Sequence, residues 1–168
     1  CGDDSQAAVV SCRNLRFGGE RQRKKLDVTS WNISQSVPAN RMFESRFELS
    51  RDYFNPFDTD EIAVDFEVEK VLPGGGRETA RYPAFFGMDY SRSIHFTREK
   101  VQPRGKPYWA FRFTPQAVGD YRVRLSVTGM TSGKAETFLT DWKEFRAVPS
   151  DSLGFIRKSP KNPFYFEF

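Results

Sequence analysis

The sequence holds two cysteines and one histidine in 168 residues, too few for a zinc site of four cysteines or of two cysteines and two histidines. No apolar run approaches the roughly 18 residues of a membrane-spanning helix. Histidine-based catalysis has one candidate base, His95. It stands in the apolar and aromatic run Ser93-Ile94-His95-Phe96, which reads as a packed or surface position. Phosphate loops end in GK[ST], and neither glycine cluster does. Pro73-Gly74-Gly75-Gly76 has no lysine behind it, and the stretch from Gly129 to Ala135 is one residue short between its glycines and ends in alanine. Both read as turns. No cofactor, metal ligand set or catalytic residue is expected.

What the chain does have is aromatic residues and evenly mixed charge. Phe, Tyr and Trp make up 15% of it, yet hydrophobic residues reach only 38% and mean hydropathy is −0.62. That balance suits alternating buried and solvated positions in one domain with a real core. From Leu26 onward the period is two, the signature of strands with one buried face. Ile62, Val64, Phe66 and Val68 alternate with Asp65, Glu67 and Glu69; Trp109, Phe111 and Phe113 alternate with Arg112; Tyr121, Val123, Leu125 and Val127 alternate with Arg122 and Arg124. Further strands are expected over 26–33, 42–49, 77–86, 137–147 and 154–168. Turn formers separate them at Asn55-Pro56, Pro73 to Gly76, Pro115 to Asp120 and Thr131 to Gly133. With no helical stripe, the pattern predicts an all-β, antiparallel β-sandwich over 26–150.

Residues 1–25 read as a tether or irregular lead-in, and residues 151–168 as a linker. Cys1 followed by Gly2-Asp3-Asp4 is similar to the mature end of a bacterial lipoprotein, whose terminal cysteine is acylated. An arbitrary boundary of the segment, or a Cys1–Cys12 disulfide, accounts for Cys1 equally. The basic cluster Arg21, Arg23, Lys24 and Lys25 fits a solvated lead-in or a membrane-proximal segment. Elsewhere positive charge is mostly offset locally, so the net +4 does not argue for nucleic acid. Asp65, Glu67 and Glu69 are expected to face Arg112, Arg122 and Arg124 as exposed ion pairs rather than to act as an acid/base couple. Asn32-Ile33-Ser34 fits a glycosylation sequon, a short pattern that chance often supplies.

Aromatics outside the clear alternation raise a binding role, because sugar rings lay their apolar faces on exposed aromatic rings. Tyr53, Phe54 and Phe57 surround the Asn55-Pro56 turn, and Tyr82, Phe85, Phe86 and Tyr90 fall near another. The candidate carbohydrate-binding set is Tyr53, Phe54, Phe57, Tyr82 and Tyr90; the alternative is core spilling under long loops. A small enzyme using Asp58 or Asp89 is the weakest reading, since nothing gathers acids, a base and a pocket.

Three stretches carry a family resemblance. The first runs from Phe43-Glu44-Ser45-Arg46-Phe47-Glu48-Leu49 through Tyr53-Phe54-Asn55-Pro56-Phe57-Asp58 into the strand from Ile62 to Val68. The second is Trp109-Ala110-Phe111-Arg112-Phe113-Thr114-Pro115 followed by Gly119-Asp120-Tyr121. The third is the segment from Gly154 to Phe168. In this order they resemble the immunoglobulin-like domain of unknown function that precedes glycoside-hydrolase-type (β/α)8 barrels. The resemblance covers about residues 40 to 168. It implies an immunoglobulin-like antiparallel sandwich whose last segment docks, through Phe155, Phe164, Tyr165, Phe166 and Phe168, against a catalytic (β/α)8 domain of the same parent protein. Such a barrel needs about 250 residues, so no catalytic residue carries over to this chain. The expectation is a bacterial, exported, non-catalytic accessory domain, periplasmic or at the cell surface, with Cys1 as a candidate lipid anchor. The alternative is a stand-alone carbohydrate-binding module.

Overall fold

The structure, a computed structural model, describes residues 25–131 and 133–167. The expectations for Cys1, the Cys1–Cys12 pairing, Arg21 to Lys24 and Phe168 lie outside the described residues. The described part is all-β. Its strands in chain order are β1 (Val28–Trp31), β2 (Ser36–Pro38), β3 (Phe43–Leu49), β4 (Ile62–Val71), β5 (Arg77–Pro83), β6 (Phe85–His95), β7 (Arg98–Phe113), β8 (Gly119–Thr131), β9 (Lys134–Leu139), β10 (Lys143–Val148), β11 (Arg157–Lys158) and β12 (Phe166–Glu167).

Two sheets share one core. The first has the order β1-β3-β7-β6; the second has the order β2-β10-β8-β4-β5, with β9 also paired to β8. The period-two pattern decides which side faces inward. Along β4, Ile62, Val64, Phe66 and Val68 are buried while the residues between them are not. Phe66 of the second sheet stacks on Phe111 of the first at a centroid distance of 4.5 Å, and Tyr121 stacks on Phe145 at 5.3 Å. Each fully buried phenylalanine stabilises the fold by about 1.5–3 kcal/mol. Buried polar groups beneath β1 are satisfied: the Trp31 indole N–H donates to the Ser45 hydroxyl (3.0 Å), which donates to the Asn32 carbonyl (2.8 Å).

Turn chemistry behaves as expected. Gly74 and Gly75 adopt φ of +95° and +86° between β4 and β5, where a side chain would be strained, and Leu72 and Gly76 close the loop.

Four expectations need correction. The pairing is not wholly antiparallel, since β2 runs parallel to β10. The single strand expected over 77–86 is two strands in different sheets: Pro83, which has no N–H to continue the ladder, is the last residue of β5 paired to β4, and the chain crosses at Ala84. The strand expected over 137–147 is also two, β9 and β10, separated at Thr140-Asp141-Trp142. There the Thr140 hydroxyl accepts from the Leu125 amide (2.9 Å) and the Trp142 ring covers Arg122 and Arg124 at 4.4 and 4.5 Å. The strand expected over 154–168 contains only the short pair β11–β12.

The outer face of β4 carries ion pairs, with one change of partner. Glu67 meets Arg124 (2.7 Å) and Glu69 meets Arg122 (2.6 Å), but Arg112 lies on the other sheet and bonds Glu44 (2.9 Å). Asp65 bonds Arg81 of β5 instead (2.7 Å).

The β6–β7 hairpin departs most from the sequence expectation. Its inner part belongs to the first sheet, but from Asp89 to Arg104 its two strands pair only with each other and stand largely exposed on both faces. Gly105, at φ +79°, lies at the register shift that separates this arm from the core.

Candidate functional site

The turn-associated aromatics are held by a loop whose shape is set by its own short polar side chains. Asn55 and Asp58 fold back on the backbone: the Asn55 side chain accepts from the Phe57 amide (3.2 Å) and the Asp58 side chain from the Asp60 amide (2.9 Å). This is how such residues build turns. The Glu61 carboxylate accepts from the Phe54 and Asn55 amides, fixing the loop to the start of β4. Phe54 is left 100% exposed and Phe57 75% exposed.

Phe57 is not free-standing, because its ring meets Phe86 of β6 edge-on at 5.7 Å, and Phe86 meets Trp109 at 5.3 Å. Two grooves, each of about 280 Å³, adjoin this aromatic row and share Pro56, Phe86 and Trp109. One is lined also by Arg51, Tyr53 and Tyr108, the other by Phe57, Val64 and Pro83. Tyr53 is half-buried; its hydroxyl is enclosed against Gly129, and burial pushes its pKa up, opposed by the neighbouring Arg51 guanidinium.

The other two members of the sugar-binding set are placed elsewhere. Tyr82 packs on Phe66 (5.4 Å) and Phe113 (6.2 Å) and lines a separate groove of about 200 Å³ with Tyr121. Tyr90 lies on the exposed arm, opposite Pro103. The fold therefore brings Tyr53, Phe54 and Phe57 to one end of the core and leaves Tyr82 and Tyr90 apart from them. Sequence reasoning placed Trp109 in a core strand and left Phe86 outside the candidate set. The signal for Phe86 was present in its aromatic run; the signal for Trp109 was hidden by its alternation, which marks it as core.

The segment after β10 is tied down and then released. Ser150 donates to the Ala39 carbonyl, Ser152 donates to the Asn40 carbonyl (3.1 Å), and Asp151 pairs with Arg41 (2.7 Å). Beyond Gly154, at φ +93°, the chain forms the β11–β12 hairpin. Its loop is closed by bonds from the Ser159 amide to the Tyr165 carbonyl (2.9 Å) and from the Tyr165 amide to the Asn162 carbonyl (3.1 Å). Leu153, Phe155, Ile156, Phe164, Tyr165 and Phe166 are all exposed, Phe164 at 89%.

The acids named for a small enzyme have structural partners. Asp58 shapes the aromatic loop, as above. The Asp89 carboxylate accepts two bonds from Arg46 (2.7 and 3.1 Å) and one from the Tyr108 hydroxyl (2.9 Å). These hydrogen bonds, Arg46 first, hold its carboxyl below the ordinary value. Arg46 also bonds Glu44 (2.9 Å) and lies 3.7 Å over the Tyr108 ring. His95 is exposed near the arm's tip with its ring against Phe96. Comparison with protein-family models, with curated proteins and with solved structures returns no match to this chain.

Proposed function

We propose that the chain is an immunoglobulin-like, non-catalytic accessory domain of a bacterial, exported glycoside hydrolase, and that it docks through residues 153–167 against a catalytic (β/α)8 domain of the same polypeptide. The observation that carries the proposal is the folded hairpin after Gly154, which with the residues leading into it presents six large apolar side chains to solvent. So many exposed large apolar side chains in one short segment fit an interaction site. The bonds from Ser150, Asp151 and Ser152 would give that hairpin a defined exit direction from the core.

Two features support the immunoglobulin-like part of the reading. Taken in chain order, β1-β3-β7-β6 follows the A-B-E-D sheet of that fold, and β10-β8-β4-β5 follows the order G-F-C-C′. The Tyr121 hydroxyl at the start of β8 donates to the Ala117 carbonyl (2.9 Å), the geometry of a tyrosine corner on strand F. The similarity of the three sequence stretches to a domain preceding glycosidase barrels supplies the partner. Export, and a lipid anchor at Cys1, belong to the same reading.

The test is hydroxyl-radical footprinting of Phe155, Phe164, Tyr165 and Phe166 in this chain and in the product of the longer reading frame around it. Labelling is expected to fall several-fold in the longer protein. Equal labelling in both, or a frame that encodes no second domain beside this one, refutes the docking role. A second reading, a stand-alone carbohydrate-binding module, is favoured by the Phe57–Phe86 row between two grooves. Binding of a neutral polysaccharide that Phe57→Ala abolishes would move it ahead.

A further inference from the structure

The β6–β7 arm has two unlike faces. Residues directly opposite in an antiparallel pair share a face, so Asp89, Ser91, Ser93 and His95 of β6 lie with Arg104, Gln102, Lys100 and Arg98 of β7. The other face carries Tyr90, Ile94, Val101 and Pro103, together with the Arg92–Glu99 pair (2.6 Å). The first face is polar, and cations outnumber its single carboxylate. That carboxylate, Asp89, is held by Arg46 and Tyr108 and also feels the charge of Arg104 opposite it, while Arg98 and Lys100 form no ion pair among the described residues. Alternate residues of a strand are about 6.8 Å apart, so the row from Arg98 to Arg104 runs for about 20 Å. It is interleaved with hydrogen-bonding groups from Gln102, Ser91 and Ser93.

We infer that this face of the arm binds an acidic polysaccharide, one bearing carboxylate or sulfate groups along a linear chain. Charge complementarity selects a polyanion. The form of the face selects the kind. The hydroxyl and amide groups of Ser91, Ser93 and Gln102 lie between the cations at the two ends of the row, as a hydroxyl-rich polymer requires. Among the paired residues of the arm, the one ring on this face is that of His95, packed on Phe96 at the tip (4.7 Å), too few to stack successive bases as single-stranded nucleic acid would require. The arm's large apolar side chains along its strands project from the opposite face, whereas a lipid surface would call for them beside the cations. The inference does not rest on the docking role of residues 153–167 and survives its failure.

The experiment is affinity electrophoresis of the whole chain through gels containing polygalacturonate, chondroitin sulfate or a neutral glucan. Retardation by at least one acidic polymer and none by the glucan is expected; the two acidic gels separate carboxylate from sulfate recognition. With three cations engaged, affinity should fall about 20-fold between about 50 and 200 mM salt. The Arg98→Ser/Lys100→Ser/Arg104→Ser variant should lose retardation, and the opposite-face control Ile94→Ser/Val101→Ser should keep it. All five side chains are solvent-facing, and the salt dependence of the unaltered chain needs no variant. The inference is overturned if no acidic polymer retards the chain, if the triple variant binds as well as the parent, or if the control loses binding. Tighter binding to phosphatidylglycerol vesicles or single-stranded DNA than to either polysaccharide overturns it too.

Discussion

Replacing Tyr121 by phenylalanine isolates a single hydrogen bond in the core. The ring remains, stacked on Phe145 at 5.3 Å and edge-on to Phe113 at 6.1 Å, so packing is preserved. What is lost is the bond from the hydroxyl to the Ala117 carbonyl (2.9 Å). Ala117 is only half-buried, so its carbonyl can be rehydrated and the cost should stay near the ordinary net value of about 1 kcal/mol. For a domain of this size that is a fall of about 2–4 °C in Tm. The pH dependence gives a second reading of the same group. Burial raises the Tyr121 pKa above its ordinary value. A group with a raised folded-state pKa gives its full contribution below its unfolded-state pKa, about 10 for tyrosine, and loses it as pH rises through the folded value. Urea titrations followed by tryptophan fluorescence should therefore show Tyr121→Phe about 1 kcal/mol less stable near pH 7, with an unchanged m value. Above about pH 10 the gap should narrow, because only the parent carries the titrating hydroxyl. A variant equal to the parent near pH 7, or a gap that does not change above about pH 10, would refute the argument.

Two further outcomes test the grooved end and the root of the arm. A Cβ on Gly129 would sit 2.5 Å from the Tyr53 hydroxyl oxygen, so Gly129→Ala should cost more than about 1 kcal/mol. Tyr53→Phe should recover at least half of that in a double-mutant cycle by chemical denaturation; additive effects would mean the two do not meet. Asp89 is held below its ordinary pKa by Arg46 and Tyr108. The Glu44 carboxyl is also lowered: burial raises it, but bonds from Arg46 and Arg112 outweigh that. Depressed carboxylates contribute stability above their unfolded pKa and lose it as pH falls through the folded value. Arg46→Gln should therefore lower Tm near neutrality and flatten its acid decline below about pH 4. Identical acid limbs in parent and variant would exclude the network as a contributor.

Much of the fold was legible because one face of each core strand must be apolar. The alternation in β4 and β8 and at the inner end of β7 announces which residues touch the other sheet, and the glycines after Pro73 announce a turn no side chain could make. The arm was illegible for the same reason. Beyond Asp89 neither face is buried, so Tyr90, Arg92 and Ile94 show no selected alternation, and Pro103, Gly105 and Pro107 look like breakers. Proline is tolerated there because that stretch of β7 has no second neighbour needing its N–H. Among the aromatics, composition could not separate Phe57, seated on Phe86, from Tyr82, packed on Phe66. Both stand near turns, and only the crossing of the chain at Ala84 sends their neighbourhoods to different grooves.

By itself the sequence determined that the chain would be β, roughly where its core strands lie, and that zinc sites of four cysteines or of two cysteines and two histidines were excluded. Those properties are local, set by side-chain periodicity and by which residue types are present at all. Tertiary structure alone decided which strand neighbours which. It decided that Arg112 serves Glu44 rather than the acids of β4, that Asp89 is already engaged, and that four basic and polar residues of β7 form one uninterrupted face with those of β6. Pairing between residues far apart in the chain depends on sheet register and on the change of sheet at Ala84. The consequences of one residue of slip, which would set Tyr90, Arg92 and Ile94 beside Arg104, Gln102 and Lys100 in place of Asp89, Ser91 and Ser93, are invisible until the strands are laid side by side.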